Sequence, residues 1–293
     1  MSVKAIEVNE LAKYYGKQCG IENVSFKVEY GEIFGFIGPN GAGKTTTIRT
    51  LLALIHPTSG SASIFGRDCI READKLAGDV GYLPTETYYY ENMTALELLQ
   101  YTADLYRVNA TDHISELAGK LNLDLRRKIS SLSYGNKKKV GIIASLLHQP
   151  KLLILDEPTS GLDPLVQQTF IDILKEENEK GMSVLFSSHV LSDVQKVCSR
   201  VAILKEGRVI DIQNISELRE KGFKKVELNL IEPVPPGLFE FEGVADFRQN
   251  NNQISFIYHG DLNLIVEKIA LLRLNDIFIE EPTLEEIFFH YYE

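Results

Sequence analysis

The stretch Gly38-Pro39-Asn40-Gly41-Ala42-Gly43-Lys44-Thr45 decides the fold of this chain. Residues 32–37 before it form a short apolar run rich in β-forming side chains, and residues 45–55 after it carry apolar side chains at helical spacing. A strand, a glycine-rich loop and a helix in this order form the context in which backbone N–H groups surround a phosphate. The sequence therefore predicts a nucleotide site where this strand meets this helix.

The side chains of this loop predict how the nucleotide is held. Lys44 is expected to reach the β- and γ-phosphates, and the hydroxyl of Thr45 to ligate Mg²⁺. The helix that begins here adds the positive end of its dipole. ATP with Mg²⁺ is the expected ligand. The predicted contacts from this region are Gly38, Pro39, Asn40, Gly41, Ala42, Gly43, Lys44, Thr45 and Thr46.

The composition indicates a globular protein of one large domain, or of one large and one small domain. The 293 residues are 44% hydrophobic, and no apolar run approaches the roughly 18 residues that span a bilayer. The N-terminus has no basic segment before an apolar core, so no secretion signal is expected. A net charge of −10 disfavours nucleic acid as a partner. Cys19, Cys69 and Cys198 are scattered, which fits a reducing cytoplasm and gives no metal spacing.

The hydrophobic pattern predicts a parallel sheet. Residues 1–30 alternate apolar and polar side chains, which indicates antiparallel strands, and residues 93–147 are predicted to be mainly helical. Residues 152–155 form a continuous apolar run typical of a strand buried on both faces. A second such run at 184–186 follows a predicted helix at 165–179. Strand, helix and strand at this spacing predict a βαβ unit.

The character of the sequence changes in the charged stretch 217–225. We therefore expect a nucleotide-binding domain at 1–216 and a small α+β accessory domain at 217–293. The accessory domain is predicted to contain strands at 226–230 and 254–258, a helix at 262–274, a strand at 277–279 and a last helix at 283–292.

Two carboxylates, Asp156 and Glu157, directly follow the apolar run at 152–155. Ligands of parallel sheets lie at the carboxyl ends of the strands, which places both side chains near the phosphate loop. An ATPase needs one carboxylate to hold Mg²⁺ and another to polarise the attacking water. Asp156 suits the first role and Glu157 the second. The alternative is a strand that ends in solvated charges.

Four further motifs resemble those of the ATP-binding-cassette (ABC) ATPases. Leu132-Ser133-Tyr134-Gly135-Asn136 resembles the signature motif, and residues 156–164 resemble the second acidic motif running into the D-loop. Ser187-Ser188-His189 resembles the switch histidine, and Tyr15-Gly16 resembles the aromatic A-loop. The resemblance implies an α/β fold: a P-loop NTPase core with a mainly parallel sheet, an antiparallel β subdomain and a helical signature subdomain. The small C-terminal α+β appendage is added to it.

The resemblance also implies a head-to-tail dimer, either a homodimer or a heterodimer, with ATP between the phosphate loop of one subunit and the signature of the other. Ser133 and Gly135 are then expected to contact the γ-phosphate across the interface, and Asp163 of the D-loop joins the nucleotide contacts. His189 is expected to hydrogen-bond the γ-phosphate and the attacking water. Tyr15 is expected to stack on adenine, with plain packing as the alternative. Hydrolysis removes the bridging ATP and lets the subunits separate.

Two motifs depart from the family pattern. Tyr134 and Asn136 stand where the signature normally has a glycine and a glutamine, so altered coupling is expected. After the strand at 80–83 the family usually has a glutamine that ligates Mg²⁺ and senses the membrane partner. This chain has Thr85 and Glu86 there. Thr85 is the positional equivalent and the preferred Mg²⁺ ligand, acting through a water, with Glu86 as the alternative.

The expected function is the ATPase subunit of an ABC transporter. Residues 281–288 resemble the ending of bacterial drug- and peptide-exporting subunits, which favours export. A separate polytopic membrane subunit is the expected partner, which places this chain in the cytoplasm at the inner face of the membrane. Residues 85–93, with three tyrosines expected to be exposed at 88–90, are predicted to dock that partner, with internal packing as the alternative.

Two other functions use the same phosphate loop. A soluble ABC ATPase of translation or DNA maintenance is the main alternative, but the acidic charge and the lack of an inserted coiled coil argue against it. The second alternative, a small-molecule kinase, would leave the residues that resemble the signature and the D-loop without a role. The lysines at 137–139 are predicted to form a solvated helix face or to shape a phosphate environment.

Overall fold

The computed structural model describes residues 4–220, 223–232, 235 and 237–282. The chain divides into two units, Met1–Gln213 and Asn214–Glu293. The domain boundary predicted after residue 216 lies inside a short helix, Ile215–Glu220, near the start of the second unit.

The first unit contains strands β1 to β10 and helices α1 to α7. The strands are β1 (Ile6–Tyr15), β2 (Gln18–Val28), β3 (Ile33–Ile37), β4 (Ser59–Ile64), β5 (Arg67–Asp68), β6 (Val80–Leu83), β7 (Leu152–Asp156), β8 (Ser183–Ser188), β9 (Arg200–Lys205) and β10 (Arg208–Asn214). The helices are α1 (Lys44–Leu51), α2 (Ala73–Leu76), α3 (Ala95–Tyr106), α4 (Thr111–Lys120), α5 (Tyr134–Leu146), α6 (Pro164–Glu179) and α7 (Leu191–Val197).

The central sheet has the strand order β10-β9-β3-β8-β7-β6. β3 pairs in parallel with β8 and β9, and β7 pairs in parallel with β6 and β8. Every residue of β3 and β7 is buried, as expected of strands covered on both faces. The predicted α/β fold with a mainly parallel sheet is therefore confirmed, and the carboxyl ends of β3, β7 and β8 meet at one edge.

A second sheet, with the order β2-β1-β4-β5, shares a hydrophobic core with the central sheet that includes aromatic side chains. Its pairings β1–β2, β1–β4 and β4–β5 are antiparallel. Phe26 of β2 lies parallel to Phe34 of β3, with ring centroids 5.7 Å apart. This contact holds the β1–β2 hairpin, which carries Tyr15, against the strand that leads into the phosphate loop.

Helices α3, α4 and α5 form a helical layer. A capping box starts α3: the Thr94 hydroxyl accepts from the Glu97 amide, while the Glu97 carboxylate accepts from the Thr94 amide. α5 packs against α3, α4 and β6. The start of α5, which bears the signature motif, is thereby placed beside the segment that follows β6.

The second unit contains α8 (Ile215–Glu220), β11 (Lys224–Leu230), β12 (Val244–Asn250), β13 (Gln253–Tyr258), α9 (Leu262–Ala270) and β14 (Leu274–Glu280). Its strands form an antiparallel sheet in the order β12-β13-β11-β14. Val226, Phe256 and Ile265 belong to its own core.

The predicted helix at 262–274 was too long, since Leu274 already pairs with Leu230 in the sheet. The predicted last helix at 283–292 lies outside the described residues. Within the described ranges, no helix combines the length and apolarity that crossing a bilayer requires.

Candidate functional site

The phosphate loop turns directly from β3 into α1. Gly43 starts α1 with a φ of 104°, and a Cβ atom there would lie 2.6 Å from a methyl carbon of Ile21, so only glycine fits. The ammonium of Lys44 is buried and donates hydrogen bonds to the carbonyl oxygens of Gly38, at 2.6 Å, and Pro39, at 3.3 Å. The loop thus folds around the side chain of its own lysine. Because Lys44 is also the first residue of α1, the free backbone N–H groups of the helix start lie in the same loop.

Thr45, Asp156 and Ser187 join the loop to the ends of β7 and β8. The Thr45 hydroxyl donates to Asp156 Oδ2 at 2.8 Å, and the Ser187 hydroxyl donates to Asp156 Oδ1 at 3.2 Å. Asp156 is fully buried. From the sequence, Ser187 is named only within the motif Ser187-Ser188-His189 and no contact is predicted for it, although its position on β8, two residues before His189, is a usable signal.

Glu157 stands between the loop lysine and His189. Its φ of 50° is left-handed, a strained conformation for a residue with a side chain. Oε1 lies 3.2 Å from Lys44 Nζ, but it is buried and makes no hydrogen bond of acceptable geometry. Oε2 lies 2.7 Å from His189 Nδ1. The carboxylate therefore touches two cationic or donor groups and still keeps one oxygen without a hydrogen bond.

His189 follows the end of β8 and is about half exposed. Because a carboxylate oxygen faces Nδ1, that nitrogen carries the proton and donates. The backbone N–H of His189 points to the same Glu157 oxygen at 3.4 Å. The ring is thus oriented by Glu157, and Nε2 is the ring nitrogen that remains for a ligand.

The family model for ABC transporters matches residues 21–160. The bacitracin transport ATP-binding protein of Bacillus licheniformis is 36% identical over 97% of this chain and 95% of its own length. The linearmycin resistance ATP-binding protein of Bacillus subtilis is 34% identical over 73% of this chain and 70% of its own length. A solved ATP-binding subunit of an ABC transporter matches with a TM-score of 0.69 at 32% identity, over 74% of this chain and 92% of that one.

The chain belongs to the ABC transporter ATP-binding family. As an ABC ATPase it binds and hydrolyses ATP.

Tyr15, the predicted A-loop residue of this ABC ATPase, lies close to the helix that follows the phosphate loop. A Cβ atom on Gly20 would lie 2.9 Å from the ring of Tyr15 and 3.3 Å from the methyl group of Thr46. The Tyr15 ring is about half exposed, and the ammonium of Lys13 lies 5.4 Å from its centroid. An accessible aromatic face therefore stands beside the phosphate loop.

The segments predicted to be the signature and the D-loop of this ABC ATPase touch each other. Ser133 caps α5, with its hydroxyl accepting from the amide of Asn136 at 3.4 Å, and is exposed. A Cβ atom on Gly135 would lie 2.9 Å from the carbonyl oxygen of Gly161. Asp163 caps α6 by accepting from the amide of Val166 at 3.0 Å. The signature residues thus lie at an open helix start, whereas Asp163 already has a partner within its own helix.

The lysines at 137–139 are not a solvated face, contrary to one of the two interpretations of the sequence. Lys138 is 1% exposed and Lys139 is 8% exposed. Lys138 Nζ donates to the carbonyl oxygens of Pro84, at 3.0 Å, and Thr85, at 3.1 Å. Burial lowers the pKa of Lys138 to about 8, while the negative charges of Asp156 and Glu157 act in the opposite direction. Periodicity alone does not reveal this burial, because α5 is apolar on several sides.

Thr85 and Glu86, in the segment after β6, have different hydrogen-bond partners. The Thr85 carbonyl oxygen accepts from Lys138 and, at 3.3 Å, from the Tyr134 hydroxyl. The exposed Glu86 carboxylate accepts from the Tyr88 hydroxyl at 2.9 Å. The backbone of Thr85 is therefore hydrogen-bonded to side chains of α5, while the side chain of Glu86 is hydrogen-bonded to Tyr88 at the surface.

The expectation of three exposed tyrosines at 88–90 was wrong for one of them. Tyr88 and Tyr90 are 89% and 62% exposed, but Tyr89 is turned inward, and a Cβ atom on Gly141 would lie 2.5 Å from its hydroxyl. Burial raises the pKa of Tyr89 to about 12. Two tyrosines, not three, are available on this surface.

Proposed function

We propose that this ABC ATPase powers the export of a substrate through a separate polytopic membrane subunit. The observation that carries its ATPase chemistry is the contact of Glu157 with Lys44 and His189, beside the hydrogen bond from Thr45 to the buried Asp156. Relatives named for bacitracin transport and linearmycin resistance support export as the direction.

In this proposal Glu157 is the general base. Lys44 faces the β- and γ-phosphates, and a phosphate oxygen that takes the ammonium as its partner releases Glu157 Oε1 for the attacking water. His189, oriented through Nδ1, directs Nε2 to the γ-phosphate. Tyr15 offers its ring to adenine.

The residues around Asp156 fit a Mg²⁺ ion. A hydroxyl and a buried carboxylate already meet at 2.8 Å, and both are hard oxygen donors. In the described part of the chain no group of three His, Cys, Asp or Glu side chains is arranged to hold a metal ion by itself, and Mg²⁺ is commonly held by one carboxylate together with substrate phosphates. Thr45 and Asp156 would hold it, with Thr85 contributing through a water. The ion would neutralise charge on the phosphate oxygens.

A second subunit completes the site in this proposal. Ser133 and Gly135 lie at the exposed start of α5, where backbone N–H groups attract a phosphate. They would face the γ-phosphate bound by the partner, and Asp163 would approach from the D-loop. The partner is a second copy of this chain or a related ATPase.

The membrane subunit would dock beside residues 85–93. Tyr88, Tyr90 and Leu105 are exposed, and the ring of Tyr90 lies edge-on to that of Tyr101 on α3, with ring centroids 6.0 Å apart. A partner helix with apolar side chains suits such a surface. Docking there would hold the chain at the cytoplasmic face of the membrane, with residues 217–293 as an accessory domain.

Purification from the native cell tests this proposal. The tagged chain, taken from detergent-solubilised membranes, should bring a polytopic membrane protein with it. Tyr88→Ala combined with Tyr90→Ala should lose that protein and keep the ATPase rate of the isolated chain. Tyr30→Ala, also at an exposed tyrosine, should behave like the wild type. A chain that is recovered only with ribosomes or DNA contradicts the proposal and supports the soluble alternative.

A further inference from the structure

Two side chains of α5 reach the same backbone carbonyl after β6. Lys138 Nζ donates to the Pro84 and Thr85 carbonyl oxygens at 3.0 and 3.1 Å, and the Tyr134 hydroxyl donates to the Thr85 carbonyl oxygen at 3.3 Å. Tyr134 and Lys138 are about one helical turn apart, so they lie on the same face of α5. Their three hydrogen bonds converge on two consecutive carbonyl groups.

Packing alone does not account for a lysine at this place. Lys138 is 1% exposed, and a buried ammonium is unfavourable unless polar groups replace its water. A methionine would fill a similar volume without that penalty. The carbonyl groups of Pro84 and Thr85 supply the compensating partners, so the charged side chain is suited to holding this segment.

Tyr134 also contacts the D-loop. Gly161 has a φ of 76°, and a Cβ atom there would lie 2.2 Å from the Tyr134 ring. The ring therefore lies directly against the D-loop backbone while its hydroxyl reaches Thr85. The signature start, the D-loop and the segment after β6 meet at this one side chain.

We propose that Tyr134 and Lys138 are positioning residues that fasten the signature helix to the backbone of residues 84–85. The link runs through carbonyl oxygens and not through the side chain of residue 85. A displacement of the segment 85–93 is then passed to Ser133 and Gly135 by a hydrogen-bonded connection. The proposal rests on the proposed function, because that function makes 85–93 the docking segment.

The test compares Lys138→Met with Lys137→Met in the full chain. Lys137 is the neighbouring lysine, and its ammonium lies 3.6 Å from Glu91. Backbone amide hydrogen exchange, measured by mass spectrometry, should accelerate about tenfold in peptides covering 84–93 of Lys138→Met. Peptides covering β7 should stay unchanged. Lys137→Met loses only the exposed ion pair with Glu91, so it should change exchange at 84–93 by less than about twofold.

The kinetics give a second, independent measurement. In Lys138→Met, kcat for ATP should fall by about tenfold, with KM changed less than about twofold, because the contacts of Lys44 and Thr45 are untouched. Lys138→Gln, whose amide reaches one carbonyl, should recover part of the loss. Tyr134→Phe removes one longer hydrogen bond and should lower kcat by about twofold.

Unchanged exchange at 84–93 in a folded Lys138→Met overturns the proposal. If Lys138→Met does not fold, Lys138→Gln and Tyr134→Phe are measured on the same peptides, and wild-type exchange in both overturns it equally. A wild-type chain that brings no polytopic membrane protein with it refutes the proposed function instead, because the exchange measurement needs no membrane partner.

Discussion

At the scale of single residues, Glu157 combines strain with charge. Its left-handed backbone costs a residue with a side chain roughly 1–3 kcal/mol. The same turn places one carboxylate oxygen near Lys44 and the other at His189. The strained backbone thus fixes the carboxylate that we propose as the general base, and such strain is common at functional sites.

Glu157→Gln tests that role, because it keeps the shape and removes the basic carboxylate. The turnover should fall by about 10²–10⁴ while ATP binding persists. ATP should then hold a stable dimer, visible by size-exclusion chromatography. Glu179→Gln, at an exposed position, is the matched control. Hydrolysis by Glu157→Gln at nearly the wild-type rate would exclude Glu157 as the base.

Thr85 and Glu86 compete for the role of the missing glutamine. Glu86 is exposed and paired with Tyr88, which favours Thr85 as the residue that faces the metal. Thr85→Ala should therefore raise the Mg²⁺ concentration for half-maximal ATPase activity, and Glu86→Ala should change it little. Thr85→Gln should be tolerated, since hydroxyl and amide oxygens are both neutral hard ligands. If Glu86→Ala raises the required Mg²⁺ concentration and Thr85→Ala does not, the role belongs to Glu86. If neither alanine variant changes the Mg²⁺ dependence, neither residue has the role.

At the scale of secondary-structure elements, the contact between α5 and the D-loop depends on Gly161. Gly161→Ala introduces a Cβ atom 2.2 Å from the Tyr134 ring, in addition to a strained φ of 76°. It should destabilise the chain by about 1–3 kcal/mol. Tyr134→Gly removes the ring, so the double variant should recover part of the loss. Denaturant unfolding of the two single variants and the double variant measures this coupling, and strictly additive effects would contradict the contact.

The elements that the sequence predicts well are those with a strong local pattern. The run at 152–155 was identified as a strand buried on both faces because all its side chains are apolar, and β7 confirms this. β12 was missed because residues such as Asp246 and Arg248 interrupt its alternation. The burial of Lys138 was also missed, since a lysine becomes buried only when tertiary partners such as the Pro84 carbonyl are present.

At the scale of the whole molecule, the predicted site motifs and the second unit occupy different parts of the sequence. The phosphate loop, the signature, Glu157 and His189 all lie within Met1–Gln213. The second unit has its own sheet and its own core. Its small size makes independent folding marginal, so the stability of the two units is not expected to be equal.

A chain that ends at residue 216 should therefore fold and still bind ATP. The affinity should stay within about threefold of the full chain, since the second unit contributes none of the predicted nucleotide contacts. Calorimetric titration with ATP measures this, and Lys44→Ala in the same shortened chain should abolish most of the binding because the charge facing the phosphates is lost. If the shortened chain is insoluble or does not bind ATP, the first unit needs the second for its stability. The boundary near residue 216 would then not separate independent domains.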